Sequence, residues 1–169
     1  PPFQFAEIDR LAYLTTRAPA TYAASRFVLE TIPKITNLPV SLLDLGSGPG
    51  TFIWAALDFW SSLSSTTLVE KDPGWIQNSK NFSLGLTSSL QKNMEWIQKD
   101  LTKFDSFTTH DIVVLSYVLG EINWNEEWLE KIWHSTKKYL IFIEPGSSQG
   151  FDGLRRVRSY LNRAGAYIV

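Results

Sequence analysis

Three glycines at alternate positions, Gly46, Gly48 and Gly50, separate an apolar run over 40–45 from an amphipathic stretch that opens at Thr51. Glycine adopts positive φ without penalty and lets a ligand approach the backbone closely. A helix starting directly behind such a turn presents unpaired N–H groups. An apolar run with little polar alternation suits a strand buried on both faces, the habit of parallel sheets. Parallel strands cannot be joined by a tight hairpin and need a crossover, usually a helix. The turn therefore commits the chain to strand–helix–strand units.

The rest of the pattern repeats that unit. After the strand over 40–45 comes a helix over 51–60, with Phe52, Ala55, Ala56 and Phe59 on one face. Strands follow over 66–70, 94–98, 111–116 and 139–144, and Ala166 to Val169 reads as the start of another. Helices are expected over 75–84, through Trp128 to Trp133, and over 149–162. Asn123 with Glu126 forms a capping-box signature for the middle one, and Lys137 and Lys138 suit its C-terminal end. Two helix-like stretches precede the first strand. One carries Ile8, Leu11, Ala12 and Leu14 up to Pro19; the other is capped by Thr21, stopped by Pro33 and followed by a connector over 34–39. The expectation is a doubly wound, mostly parallel α/β sheet over 40–169, with an N-terminal helical segment over 1–39 packed on it as one globular unit.

In open α/β sheets a ligand sits beyond the C-terminal strand ends, where strand order reverses. Twenty residues after Gly50 the second strand ends at Glu70, a carboxylate able to accept hydrogen bonds from the hydroxyls of an adenosine ribose. The pair reads as an adenosine-containing cofactor site, with a ligand-free glycine turn as the alternative. The spacing differs from the G-x-G-x-x-G of dinucleotide sites. It is D-x-G-x-G-x-G, with Asp44 inside the strand, and it resembles the first motif of class I S-adenosylmethionine-dependent methyltransferases. That resemblance implies a loop of Gly46, Ser47, Gly48 and Gly50 against the methionyl part and Glu70 on the ribose. It puts Asp100 at the adenine, or else at a helix N-cap. Lys71 and Leu101, next to those acids, and Ser116 and Tyr117, closing the fourth strand, complete the implied cofactor set.

Three more segments narrow the likeness. They are Arg17-Ala18-Pro19-Ala20-Thr21-Tyr22, Ser116-Tyr117-Val118-Leu119-Gly120-Glu121, and Glu144-Pro145-Gly146 with Gly150-Phe151. With the glycine turn they resemble a methyltransferase-like family of mitochondrial small-ribosomal-subunit assembly proteins that has bacterial members. The resemblance runs from about Leu11 to Val169 and implies action on, or assembly of, the small ribosomal subunit through its rRNA. It implies a mitochondrial matrix location in a eukaryote and a cytoplasmic one in a bacterium. Such proteins typically continue into cysteines that hold an iron–sulfur cluster. Here there is no cysteine, so a cluster is expected only in a missing C-terminal part, and the chain reads as a piece of a soluble protein. The alternatives are a catalytically silent assembly factor and a small-molecule methyltransferase.

Other chemistry is bounded by composition. The absence of cysteine removes disulfides, thiolate metal sites and cysteine nucleophiles, and two histidines, His110 and His134, leave no histidine-rich metal centre. No metal site is expected. Asp44, Asp58 and Glu70 interrupt the most apolar stretch before it reaches the ~18 residues of a membrane helix, so no membrane partner is expected. Base-amine methylases carry an Asn/Asp-Pro-Pro-aromatic element after the fourth strand, where this chain has Ser116-Tyr117-Val118-Leu119. The remaining catalytic candidates are Tyr117, Glu121 and Glu144, each with a structural reading of equal or greater weight. Arg17 and Tyr22 are placed either to close over the cofactor or to pack. The formal net charge is −1, yet Arg155, Arg156 and Arg163 share one face of the last helix, as either an RNA-binding patch or a solvated face.

Overall fold

The structure is a computed structural model that describes residues 6–32, 37–103 and 106–169. Its elements are α1 Glu7–Thr16, α2 Ala18–Thr31, β1 Ser41–Leu45, α3 Thr51–Phe59, β2 Ser65–Glu70, α4 Pro73–Ser83 and α5 Ser88–Lys92. There follow β3 Met94–Gln98, a 3-10 turn Leu101–Lys103, β4 His110–Ser116, α6 Glu126–His134, β5 Thr136–Ile143 and α7 Ser148–Arg163. The five strands form one parallel sheet in the order β3-β2-β1-β4-β5. Strand order reverses between β1 and β4, which places the switch point at the glycine turn.

Alternation along the strands divides the core. Leu42, Leu68, Ile112, Val114, Ile141 and Ile143 face one helical layer with Leu29 of α2 and Phe52, Ile53, Ala55 and Ala56 of α3. Leu43, Leu45, Val69, Val113 and Leu115 face the other, against Leu129 and Ile132 of α6 and Val157 and Leu161 of α7. Most of β1 and β4 is therefore buried on both sides, as continuous apolar runs require.

Several boundaries differ from the sequence expectations. Thr21 lies inside α2, which begins at Ala18 behind Arg17, because Pro19 fits the first turn of a helix, where its missing N–H is no loss. Pro33 lies outside the described residues, as do residues 34–36 of the connector. The cap of α6 is Asn125, whose Oδ1 accepts the Trp128 N–H at 2.9 Å, and not Asn123. Lys137 and Lys138 belong to β5. Lys138 reaches Asp111 Oδ2 and the Asn37 and Leu38 carbonyls, each at 3.2 Å, and so ties the N-terminal edge of the sheet. Ala166 to Val169 forms no strand: Gly165 adopts φ +86° after α7, and the Ala166 N–H returns to the Leu161 carbonyl at 2.9 Å. The short α5 has too few periodic residues to be read from sequence.

Candidate functional site

The chain after β1 turns through φ +77° at Gly46, +51° at Gly48 and +82° at Gly50. The Gly46 and Ser47 N–H groups donate to the Val69 carbonyl at 2.8 and 3.1 Å, so the turn lies against the end of β2. The three glycines serve different ends. A Cβ on Gly46 would lie 2.6 Å from Val118 Cγ2, and one on Gly50 would lie 3.0 Å from Ser79 Oγ. A Cβ on Gly48 would meet nothing within 4 Å. The outer two glycines answer to packing, and the middle one faces open space.

Glu70 closes the far side. Its Oε2 accepts the Gly48 N–H and its Oε1 the Asp72 N–H, both at 2.9 Å. Burial raises its carboxyl above the usual range, while the N–H groups of Asp72, Gly48 and Lys71 pull the other way. Asp44, buried behind the turn, is pushed up to about 8, first by burial and then by the Glu70 charge. Its Oδ2 and the Ser116 Oγ are buried without a hydrogen-bond partner among the described residues. They close neighbouring central strands, so two unmet polar atoms stand at the switch point.

An adenosyl sulfonium cofactor would ask for hydroxyl acceptors, a partner for positive charge and open backbone. A carboxylate has about four lone-pair sites, and the N–H groups of Gly48, Asp72 and Lys71 draw on part of that capacity in Glu70. Hydroxyl donors can occupy the rest. The orphaned Asp44 oxygen suits a cationic or N–H group, and the open side of Gly48 leaves backbone free for close approach. The donor set fits.

The remaining expected residues sort less evenly. Asp100 Oδ1 accepts from the Thr102 N–H at 2.9 Å and hydroxyl at 2.7 Å, which hold its carboxyl below the usual range, so it caps the 3-10 turn. Lys71 is exposed, and its charge helps hold Asp100 low. Leu101 is buried under Gly46, and its carbonyl accepts the Trp128 indole N–H at 3.0 Å. Tyr117 is the sole non-glycine residue with positive φ among those described, at +61°, a strained setting for an aromatic residue. Its N–H donates to the Ile143 carbonyl at 2.7 Å. Glu144 Oε1 accepts the Val118 and Leu119 N–H groups at 2.9 and 2.7 Å, fixing the segment after β4; burial raises its carboxyl. Glu121 is exposed in the same segment. His110 is buried at the opposite sheet end against Thr67 and the Thr108 carbonyl, and His134 ends α6 on the Glu130 carbonyl. Arg155, Arg156 and Arg163 lie outside this cluster, on α7.

Arg17 and Tyr22 carry two alternatives, closing over the cofactor or packing. Tyr22 bonds Asp58 near the far end of α3 from the turn, and Arg17 is an exposed boundary residue between α1 and α2. The residues that reach the site are Arg10 and Tyr13. Arg10 lies 3.5 Å from Asp72, which caps α4 beside Glu70, and its guanidinium covers Gly74, where a Cβ would meet Cζ at 2.3 Å. The Tyr13 ring meets Trp75 edge-on at 5.1 Å, and burial, with the charges of Tyr117 and Glu121, raises its phenol. Their i, i+3 spacing on one helix face was the available signal.

A family model described as Rsm22, mitochondrial small ribosomal subunit Rsm22, matches residues 7–169. Among solved structures, the plantazolicin methyltransferase BpumL in complex with SAH superposes with a TM-score of 0.67 at 15% identity, covering 94% of this chain and 71% of that one. The mitomycin 7-O-methyltransferase MmcR gives 0.61 at 17% identity, over 85% of this chain and 43% of that one. The glycopeptide N-methyltransferase MtfA complexed with S-adenosyl-L-methionine gives 0.52 at 17%, over 69% and 50%. The chain thus spans less than half of the mitomycin enzyme and half of the glycopeptide enzyme. No curated protein sequence matches significantly. The fold is that of the class I methyltransferases.

Proposed function

The chain belongs to the Rsm22 family, and from that premise we propose that it binds S-adenosylmethionine at the C-terminal ends of β1 and β2, beside the switch point, and acts on the rRNA of the small ribosomal subunit as a methyltransferase. One observation supports the cofactor reading: the Glu70 carboxylate is drawn against Gly48, where an added Cβ would meet nothing within 4 Å. Glu70 would hold the ribose hydroxyls, and Asp44 and the Gly46–Gly50 turn the methionyl end. The bound cofactor supplies an electrophilic methyl group. The chain's own part is to orient the acceptor, since in-line positioning provides much of the rate in such transfers. The segment after β4, set by Glu144 and by the strained Tyr117, is the wall that would do so.

A second reading, an assembly factor without turnover, has an observation in its favour. Glu144 spends Oε1 on two backbone N–H groups. This is the bonding of a structural carboxylate.

Two measurements separate these. Calorimetric titration with S-adenosylmethionine and with NAD decides the cofactor; binding of NAD alone overturns the reading. Transfer of a radiolabelled methyl group to small-subunit rRNA decides turnover, and cofactor binding with no transfer selects the assembly factor.

A further inference from the structure

Away from the glycine turn, Arg155, Arg156 and Arg163 of α7 line a groove of about 450 Å³ with Trp124 and Glu126. Four of the chain's seven arginines fall between 155 and 163, in a chain whose net charge is −1, so the positive charge is local. Arg156 lies 4.5 Å from the centroid of the Trp124 ring. Among the described residues no carboxylate forms an ion pair with Arg156. Arg155 faces Asp152 at 3.8 Å and Arg163 faces Glu126 at 2.7 Å, and all four side chains are well exposed. Such exposed pairs hold weakly, so both guanidinium groups can turn to a stronger anion.

We propose that this groove docks single-stranded RNA, with phosphates on Arg155 and Arg163 and a base stacked on the Arg156–Trp124 pair. Guanidinium planes and indole faces are both platforms for unpaired bases. Arginine also grips phosphate through two parallel N–H bonds, which lysine cannot do. Arg155 and Arg163 stand ~12 Å apart along the helix at 1.5 Å per residue, so the two can meet different phosphates of one strand. α7 begins at Ser148, just past the end of β5, and Trp124 lies on the chain leaving β4. The inference rests on the proposed function only for its RNA partner, and does not need the cofactor.

The test is fluorescence anisotropy of the intact protein with a labelled single-stranded RNA of about 20 nucleotides, long enough for a groove that tracks the backbone. Arg156→Ala is expected to weaken binding by roughly 5-fold or more, as loss of a stacking partner does. Arg155→Ala and Arg163→Ala should each lower the slope of log affinity against log salt by about 0.7. Glu126→Gln should tighten binding, because it frees Arg163 and removes a repelling charge. Since it adds affinity, this gain cannot come from misfolding. Unchanged RNA affinity in the Arg155/Arg156/Arg163 triple alanine variant overturns the proposal, as does weaker binding by Glu126→Gln or a preference for duplex. Titration with S-adenosylmethionine on the same samples separates the two readings. RNA binding through these arginines without cofactor binding sinks only the cofactor site, and the reverse sinks only the groove.

Discussion

Gly48 and Glu70 hold one another beside the switch point, the glycine N–H donating to Glu70 Oε2 at 2.9 Å over a separation of 22 residues. With the Asp72 N–H on its other oxygen, the carboxylate organises both loops that leave β1 and β2. A site assembled in this way costs a ligand little further ordering on binding.

Glu70→Ala should therefore weaken S-adenosylmethionine by roughly 1–3 kcal/mol and lower stability by a similar amount, since two buried N–H groups lose their acceptor. Calorimetry and thermal melts on the same variant check both. Unaltered affinity refutes the ribose assignment.

The glycines should separate folding from binding. Gly46→Ala drives a methyl to 2.6 Å from Val118 at positive φ and is expected to destabilise clearly. Gly48→Ala meets no neighbour and should cost only about 1–2 kcal/mol for its left-handed φ, while its new methyl obstructs the open face. A folded Gly48→Ala protein with undiminished cofactor affinity would contradict the site.

Asp44 makes stability depend on pH. Its carboxyl titrates near 8 when folded against an ordinary 3.8, so between those values the folded protein holds a proton that the unfolded chain has released. The stability from neutral Asp44 is complete at low pH and is lost as pH rises toward about 8. Asp44→Asn should gain on the parent over that window, by at most about 1.4 kcal/mol per pH unit. Chemical denaturation at several pH values measures the difference, and a gap that stays constant with pH rules this out.

Glu144 gives a test of chemistry against scaffold. Glu144→Gln keeps an acceptor for the Val118 and Leu119 N–H groups and should leave stability and cofactor affinity near the parent's. Glu144→Ala should cost roughly 1–3 kcal/mol through two stranded donors. Methyl transfer that survives in Glu144→Gln removes this residue as a base. Transfer abolished in a fully folded Glu144→Gln protein would install it.

The strand–helix order and the glycine turn were readable because each depends on neighbours in the chain. Apolar continuity marked β1 and β4, and alternate glycines marked the one place where φ turns positive three times in five residues. Caps were less readable. Thr21 and Asn123 have the right chemistry, yet α2 begins at Ala18 and Asn125 caps α6, because a cap is chosen by where the packed face begins. The approach of Arg10 and Tyr13 to the site was hidden for another reason: their shared helix face is visible in the sequence, but their partners Asp72 and Trp75 are some 60 residues away.

Residue order alone settled the five strands, the main crossover helices and the turn of positive φ, since these follow from short-range sterics and from the period of apolar residues. Folding decided which groups meet. Pairing β1 with both β2 and β4 is what brings Glu70 to Gly48 and leaves the Asp44 and Ser116 oxygens unmatched together. That pairing is driven by burial of two apolar faces, a property of the whole sheet and not of any one stretch of chain.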